Sequence, residues 1–152
     1  MKRVDDKMDK IFKYISSNSK WFEQALDLRY RAFYEDLNLP KGITSDELER
    51  DSYHLICIHD AKVIGYGRLT IKNDKGKISQ MAVDSSTRRK GIGTQIMTRL
   101  IQKAKQNNCK MIYLNSRVHA IDFYKRFDFV TVSDVFYSTR SKLPHKRMEK
   151  SI

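Results

Sequence analysis

Lys77–Lys105 reads KISQMAVDSSTRRKGIGTQIMTRLIQKAK, and this stretch decides the fold. Ile78, Gln80 and Ala82, with the neighbouring Met81 and Val83, predict a strand entering a covered sheet, because apolar residues outnumber polar ones there. Asp84 to Thr87 break it. Arg88, Arg89, Lys90, Gly91, Ile92, Gly93 and Thr94 follow, and then Ile96, Met97, Leu100, Ile101 and Ala104 recur at helical spacing. The unit is a strand, a basic glycine loop and a helix. The first N–H groups of a helix have no intrahelical partner and sit at the positive end of its dipole, so such a loop is a ready anion seat. Gly91 and Gly93 let the backbone approach a ligand closely, and converging N–H groups there suit a pyrophosphate. Two common nucleotide motifs are excluded: no Gly-Lys-Ser/Thr ends the loop, and the dinucleotide fingerprint lacks its third glycine.

What remains, Arg88-x-x-Gly91-x-Gly93 between a strand and a helix, resembles the acetyl-CoA motif Q/R-x-x-G-x-G/A of the GNAT superfamily of N-acetyltransferases. The segment Asn115–Phe129, NSRVHAIDFYKRFDF, carries a second resemblance, to the family's helix ending F-Y-x-x-x-G-F. Phe123, Tyr124, Phe127 and Phe129 fit, and Asp128 stands where the family has glycine. That departure bears on a helix terminus, where glycine accepts a left-handed conformation more easily than aspartate. LRYRAF in the first helix, an acidic segment leading to a strand with His54, and the ending LPHKRM are similar to the ElaA-like branch.

The rest of the chain was read from its own pattern. Ile11, Phe12, Tyr14 and Ile15 predict a first strand after a polar lead, Met1–Lys10. Trp21 to Phe33 keep a helical stripe with Ser19 as N-cap, closed by Leu39-Pro40-Lys41-Gly42. Thr44–Asp51 is acidic and predicts one helical turn. Tyr53–His59, Val63–Ile71 and the strand through Ala82 predict an antiparallel meander. Met111–Asn115 predicts a strand parallel to its predecessor, because it follows a helical crossover. A helix over His119–Phe127 and strands at Phe129–Tyr137 and Leu143–Glu149 complete the order. The expectation is an α/β (α+β) fold, a mixed and mostly antiparallel sheet with helices on both faces, in one domain spanning 1–152. It is also the element order of the GNAT acyl-CoA N-acyltransferase fold.

Composition narrows the function further. With 152 residues, 40% hydrophobic and 32% charged, the chain fits a soluble domain with a real core. It has no apolar run long enough to span a bilayer and no apolar signal segment, so a cytoplasmic protein with no membrane partner is expected. Cys57 and Cys109 read as core filler and an incidental surface thiol; they make no metal spacing. The net charge of +12 is uneven: residues 85–126 hold ten Lys and Arg against one Asp, so the field favours an anion at the glycine loop. RNA is the rival ligand. Between Arg88 and Gln106, however, no aromatic residue is present to stack a base, which disfavours nucleic acid. A CoA-binding regulator without catalysis is a further alternative.

The resemblance implies the chemistry. Acetyl-CoA would be the co-substrate, with no metal, its pyrophosphate on the amides of Arg89–Thr94, and Met81, Ala82 and Val83 supplying a backbone N–H to the thioester carbonyl. Asn115 joins the cofactor-binding set. Tyr124 would stand near the sulfur as general acid, the alternative being a core tyrosine. An ammonium acceptor must lose a proton before it attacks. His54 and His119, with Asp51 and Glu49, are the candidates for that base or for the acceptor site; each histidine has a structural role as its alternative. The acceptor is expected to be a small-molecule or peptide amine tolerant of positive surroundings, and a dimer is left open.

Overall fold

A computed structural model of the protein describes residues 9–152, so the expected lead at Met1–Lys10 lies, up to residue 8, outside the described residues. In chain order the elements are β1 (Ile11–Ile15), α1 (Phe22–Phe33), β2 (Ser52–His59), β3 (Lys62–Lys72), β4 (Lys75–Val83), α2 (Ile92–Gln106), β5 (Met111–Arg117), α3 (Ile121–Lys125), β6 (Val130–Thr131), β7 (Phe136–Tyr137) and β8 (Pro144–Ser151). They form one sheet in the order β1-β2-β3-β4-β5-β8-β6, with β7 also on the outer edge of β8. β1 to β4 are antiparallel neighbours, β1 reaching β2 after α1, and tight left-handed turns join β2 to β3 and β3 to β4. Asp60 (φ 53°) and Ala61 (φ 59°) turn β2 into β3, and Asn73 (φ 59°) turns β3 into β4.

The one parallel step gives the sheet its opening. β4 and β5 pair only from Lys75/Met111 to Lys77/Tyr113, and past that point the two strands have no ladder. β5 is held on its other side by β8, antiparallel over all of Met111–Arg117. The strands on either side of the opening are therefore each secured from behind, and the separation is a property of the fold.

Strand alternation sends Leu55, Leu69, Ile78, Ile112 and Leu114 to one face, where they meet Ile92, Ile96, Met97 and Leu100 of α2. Burial of each such side chain stabilises by roughly 1.5–3 kcal/mol. Two glycines of β3 bring the helix down onto bare backbone: a Cβ at Gly65 would stand 2.6 Å from Ile92 Cγ2, and one at Gly67 2.6 Å from Ile96 Cγ2. Ile56, Ile58, Tyr66 and Ala82 point to the other face and pack with Ala25 and Leu28 of α1.

Five local expectations are corrected. α1 stops at Phe33 rather than reaching Leu39; a 3-10 turn, Glu35–Leu37, follows and ends on left-handed Asn38, with Tyr30 Oη donating to Leu39 O at 2.6 Å. Thr44–Asp51 is not a helical turn: a 3-10 turn at Lys41–Thr44 precedes it, and its own carboxylates cap local amides, Asp46 Oδ1 accepting from Leu48 N and Glu49 Oε2 from Asp46 N. The helix expected over His119–Phe127 is a 3-10 turn, Val118–Ala120, followed by α3. The strand expected over Phe129–Tyr137 is broken between β6 and β7, because Ser133 Oγ accepts from Arg147 N at 2.9 Å where a backbone carbonyl would otherwise pair. Cys109 is buried rather than a surface thiol.

Candidate active site

The basic loop sits where the sequence placed it, at the start of the 15-residue helix α2. Gly91 caps the helix with φ 75°, and Arg89 takes φ 67°, so the chain makes two left-handed steps within three residues. The first helical bond runs from Gln95 N to Gly91 O. The N–H groups of Arg88, Arg89, Gly91, Ile92, Gly93 and Thr94 meet no acceptor among the described residues. No side chain caps them either. Unpaired donors at a helix start, set among arginines, have the chemistry to receive an anion. Gly93 has a different task from Gly91. A Cβ there would meet Phe123 Cζ at 3.3 Å, so glycine lets α3 lie against the start of α2.

Beside the loop, the parted strands border a cavity of about 380 Å3. It runs through the sheet. Leu114 and Tyr124 line it and pack with the α2-side core, while Phe33 at the end of α1 and Asp46 in the loop before β2 line it from the opposite side. Tyr124 packs edge-on against Phe123 and Phe129, with centroids 5.1 Å and 6.4 Å away. Its hydroxyl has no hydrogen-bond partner among the described residues, and burial pushes its pKa up to about 12, so it is a protonated donor at any neutral pH. β4 carries a bulge at the cavity: Tyr66 pairs Ala82 and Arg68 pairs Ser79, so Gln80 and Met81 together face Gly67. Gln80 takes φ 60° there. A bulge releases a residue's backbone polar groups from the ladder, and Gln80 and Met81 both line the cavity. Ala82 and Val83 return to regular pairing, and Asn115 is exposed at the cavity wall.

The remaining sequence candidates lie elsewhere. His54 is fully buried on the α1 face. Its Nε2 is 2.7 Å from Glu49 O, which can only accept, so Nε2 carries the proton and Nδ1 accepts from Tyr66 Oη at 2.6 Å. Burial lowers its pKa despite the bond to Glu49, and the ring is held neutral with both nitrogens occupied. Glu49 is bound by both Arg29 guanidinium nitrogens at 2.9 Å, with Arg68 Nη1 at 3.1 Å. Burial raises its carboxyl, but the Arg29 hydrogen bonds and the charges of both arginines outweigh this and hold it below the usual carboxylate range. A carboxylate so held is a structural anion, not a base. His119 and Asp51 are exposed and do not line the cavity.

Residues 14–129 match the acetyltransferase (GNAT) family. The chain belongs to that family. Among its GNAT relatives it is similar to the uncharacterized N-acetyltransferase YjcF of Bacillus subtilis, at 29% identity over 136 residues covering 90% of this chain and 96% of YjcF. It is also similar to protein ElaA of Escherichia coli, at 25% identity over 132 residues covering 84% of this chain and 85% of ElaA. The crystal structure of E. coli ElaA has the same fold, with TM-score 0.79 at 22% identity over 95% of this chain and 100% of that one. So does an aminoglycoside 6′-N-acetyltransferase complexed with coenzyme A, with TM-score 0.75 at 15% identity over 93% of this chain and 96% of that one. The protein is thus a GNAT N-acetyltransferase with ElaA-like relatives.

Several residues of the candidate site carry no local signal in the sequence. Arg68, Lys77, Arg117 and Arg140 line the cavity, and Arg29 anchors Glu49 beneath it. Only their alternation could have found them: Lys77 and Ser79 share a face opposite Ile78, as Asn115 and Arg117 do opposite Leu114.

Proposed function

We propose that the protein transfers the acetyl group of acetyl-CoA directly to a primary amine, with Tyr124 as general acid. The observation that carries this reading is that the sheet parts beside the unpaired amides of Arg88, Arg89 and Gly91–Thr94, with the unpartnered Tyr124 hydroxyl lining the opening. The relative that was solved with coenzyme A on the same fold supports that donor here. The loop amides, with Arg88, Arg89 and Lys90 around them, receive the pyrophosphate. The pantetheine arm enters between β4 and β5, where one strand edge is free to bond an extended ligand.

The acceptor reaches the thioester through the opening from the α1 side. Its nitrogen gives a proton to solvent and attacks the carbonyl carbon. The released N–H of the β4 bulge, at Gln80 or Met81, is placed to stabilise the developing oxyanion. As the C–S bond breaks, the electron pair goes to sulfur and the Tyr124 proton with it; Tyr124 regains a proton from solvent as the amide nitrogen loses its second. A phenol of high pKa suits this because the same burial also disfavours a bare thiolate. With His54 and Glu49 both committed to structure, the acceptor's proton passes to water.

Tyr124→Phe keeps the ring packing and removes only the hydroxyl. It is expected to leave acetyl-CoA affinity unchanged and to lower kcat by roughly 10²-fold. Wild-type turnover across the pH range, with chemistry rate-limiting, would make Tyr124 a packing residue.

A further inference from the structure

The charge of the cavity goes further than the identity of the reaction. Its lining includes four Lys and Arg side chains and one carboxylate, Asp46. That carboxylate is already taken: Arg68 holds it with Nη1–Oδ1 at 2.8 Å and Nη2–Oδ2 at 2.9 Å. Lys77, Arg117 and Arg140 are left. Arg117 Nη2 donates to Phe33 O at 3.0 Å, and Arg140 donates to Ile43 O and Ser45 O. Carbonyl oxygens orient a guanidinium without neutralising it. Lys77 makes neither a side-chain hydrogen bond nor an ion pair among the described residues. Three like charges thus border one opening with donors to spare, while Asp46, the carboxylate in the lining, is already paired and exposed Glu47 acts on Lys77 from outside it.

We infer that the acceptor is an amine that also carries an anionic group, a carboxylate or a phosphate ester, and that Lys77, Arg117 and Arg140 receive that group. The inference rests on the acetyl transfer proposed above and names its substrate class. Lys77 stands at the vertex where β4 and β5 part, Arg117 at the end of β5, and Arg140 on the loop between β7 and β8. The cationic groups therefore border the opening while Tyr124 lines its wall, and one molecule can present an anion to the first and an amine to the second. Burial, and then the charge of Arg68, push the Lys77 pKa down; an anion bound there offsets both effects. A polycation meets the opposite fate, because each added positive charge is desolvated against three others. Of the acidic loop before β2, Asp46 and Glu49 are bound by Arg68 and Arg29, and the exposed Glu47 and Asp51 lie outside the cavity lining.

The test uses the full chain. Acetyl-CoA binding is first measured by calorimetry, and acetylation is then followed with O-phosphoethanolamine against ethanolamine, β-alanine against β-alaninamide, and spermidine alone. The anionic member of at least one pair is expected to exceed its neutral partner in kcat/KM by about 10-fold or more. The two arms separate a phosphate from a carboxylate preference. Lys77→Met and Arg117→Met should each raise KM for that anionic amine at unchanged acetyl-CoA affinity, with Arg117→Lys recovering part of the loss. Preference for ethanolamine, β-alaninamide or spermidine overturns the inference, and so does a wild-type KM in both Met variants. It is equally overturned if acetyl-CoA binds but no anionic member of the panel is bound or acetylated at millimolar concentration. Failure of acetyl-CoA itself to bind is a different result, which sinks the proposed transfer and this inference with it.

Discussion

On the α2 face of the sheet, position is set by contact: Ile92 and Ile96 rest where Gly65 and Gly67 leave no side chain, and Gly93 admits Phe123. On the α1 face, the loop carrying Asp46 and Glu49 is set by charge, with Arg29 from α1 and Arg68 from β3 reaching it beneath the surface. The first arrangement is apolar and insensitive to pH. The second holds two guanidinium groups with no more than 1% of their residue surface exposed, which is tolerable only because each is paired bidentately with a carboxylate. The glycine loop thus rests on close packing and the cavity rim on an ion network, so the two halves of the proposed site should fail under different insults.

The largest effect should come from breaking that network at one point. Glu49→Gln leaves Arg29 buried without its counter-charge and is expected to cost about 3–5 kcal/mol of unfolding free energy, read by chemical denaturation. The double variant Arg29→Met with Glu49→Leu should cost less than Glu49→Gln alone, since it removes the charge together with its partner. Equal losses would mean the network is not what holds the rim. On the other face, Gly91→Val meets no steric neighbour, as no atom lies within 4 Å of a Cβ there, but it forces a β-branched residue to φ 75°. The loop should relax away, and acetyl-CoA affinity should fall by roughly 10–100-fold with unfolding little changed. Undiminished affinity by calorimetry would remove the loop from the donor site.

The smallest effect is one of pH, and it too divides the faces. His54 is held neutral with its pKa below the ordinary value, whereas the unfolded chain takes up that proton near pH 6.5. Stability from this group is complete above about pH 6.5 and is lost as pH falls toward the folded pKa, because there the unfolded state binds more protons. Asp46 and Glu49, also depressed, add losses in the same direction at lower pH, below about 4. Thermal melts between pH 7 and 5 should decline in the wild type and flatten in His54→Gln. A wild-type melt that rises on acidification would contradict the neutral state assigned to His54.

The contrast also explains what could be read in advance. The strand, loop and helix of Lys77–Lys105 were legible because apolar spacing and glycine are local signals, and the parallel return of β5 followed from its crossover. The ion network was not. Arg29 interrupts the apolar stripe of α1 and Glu49 sits among other acids, so each looks solvated until the fold brings them together across 20 residues of chain. His54 attracted attention as a titratable residue in a strand, and only its two hydrogen-bond partners show that both nitrogens are occupied. The bulge at Gln80 had no signature either, since a non-glycine residue with positive φ inside a strand leaves no mark in composition.

The place of β8 in the sheet bears on how the molecule comes to exist. It is the last strand in the chain, yet it lies between β5 and β6, and its ladder along β5 joins Met111–Arg117 to His145–Ser151. As the chain leaves the ribosome, everything through α2 can collapse around the β2–β4 meander, whose contacts are local. β5 can then pair with β4 over only three residues, and its outer edge stays open until residues 145–151 arrive. During that interval the nascent protein exposes a strand edge that can pair with a stranger. The chain would thus complete its anion seat first and its cavity last, with the passage from one to the other the point at which its synthesis is most exposed to misassembly.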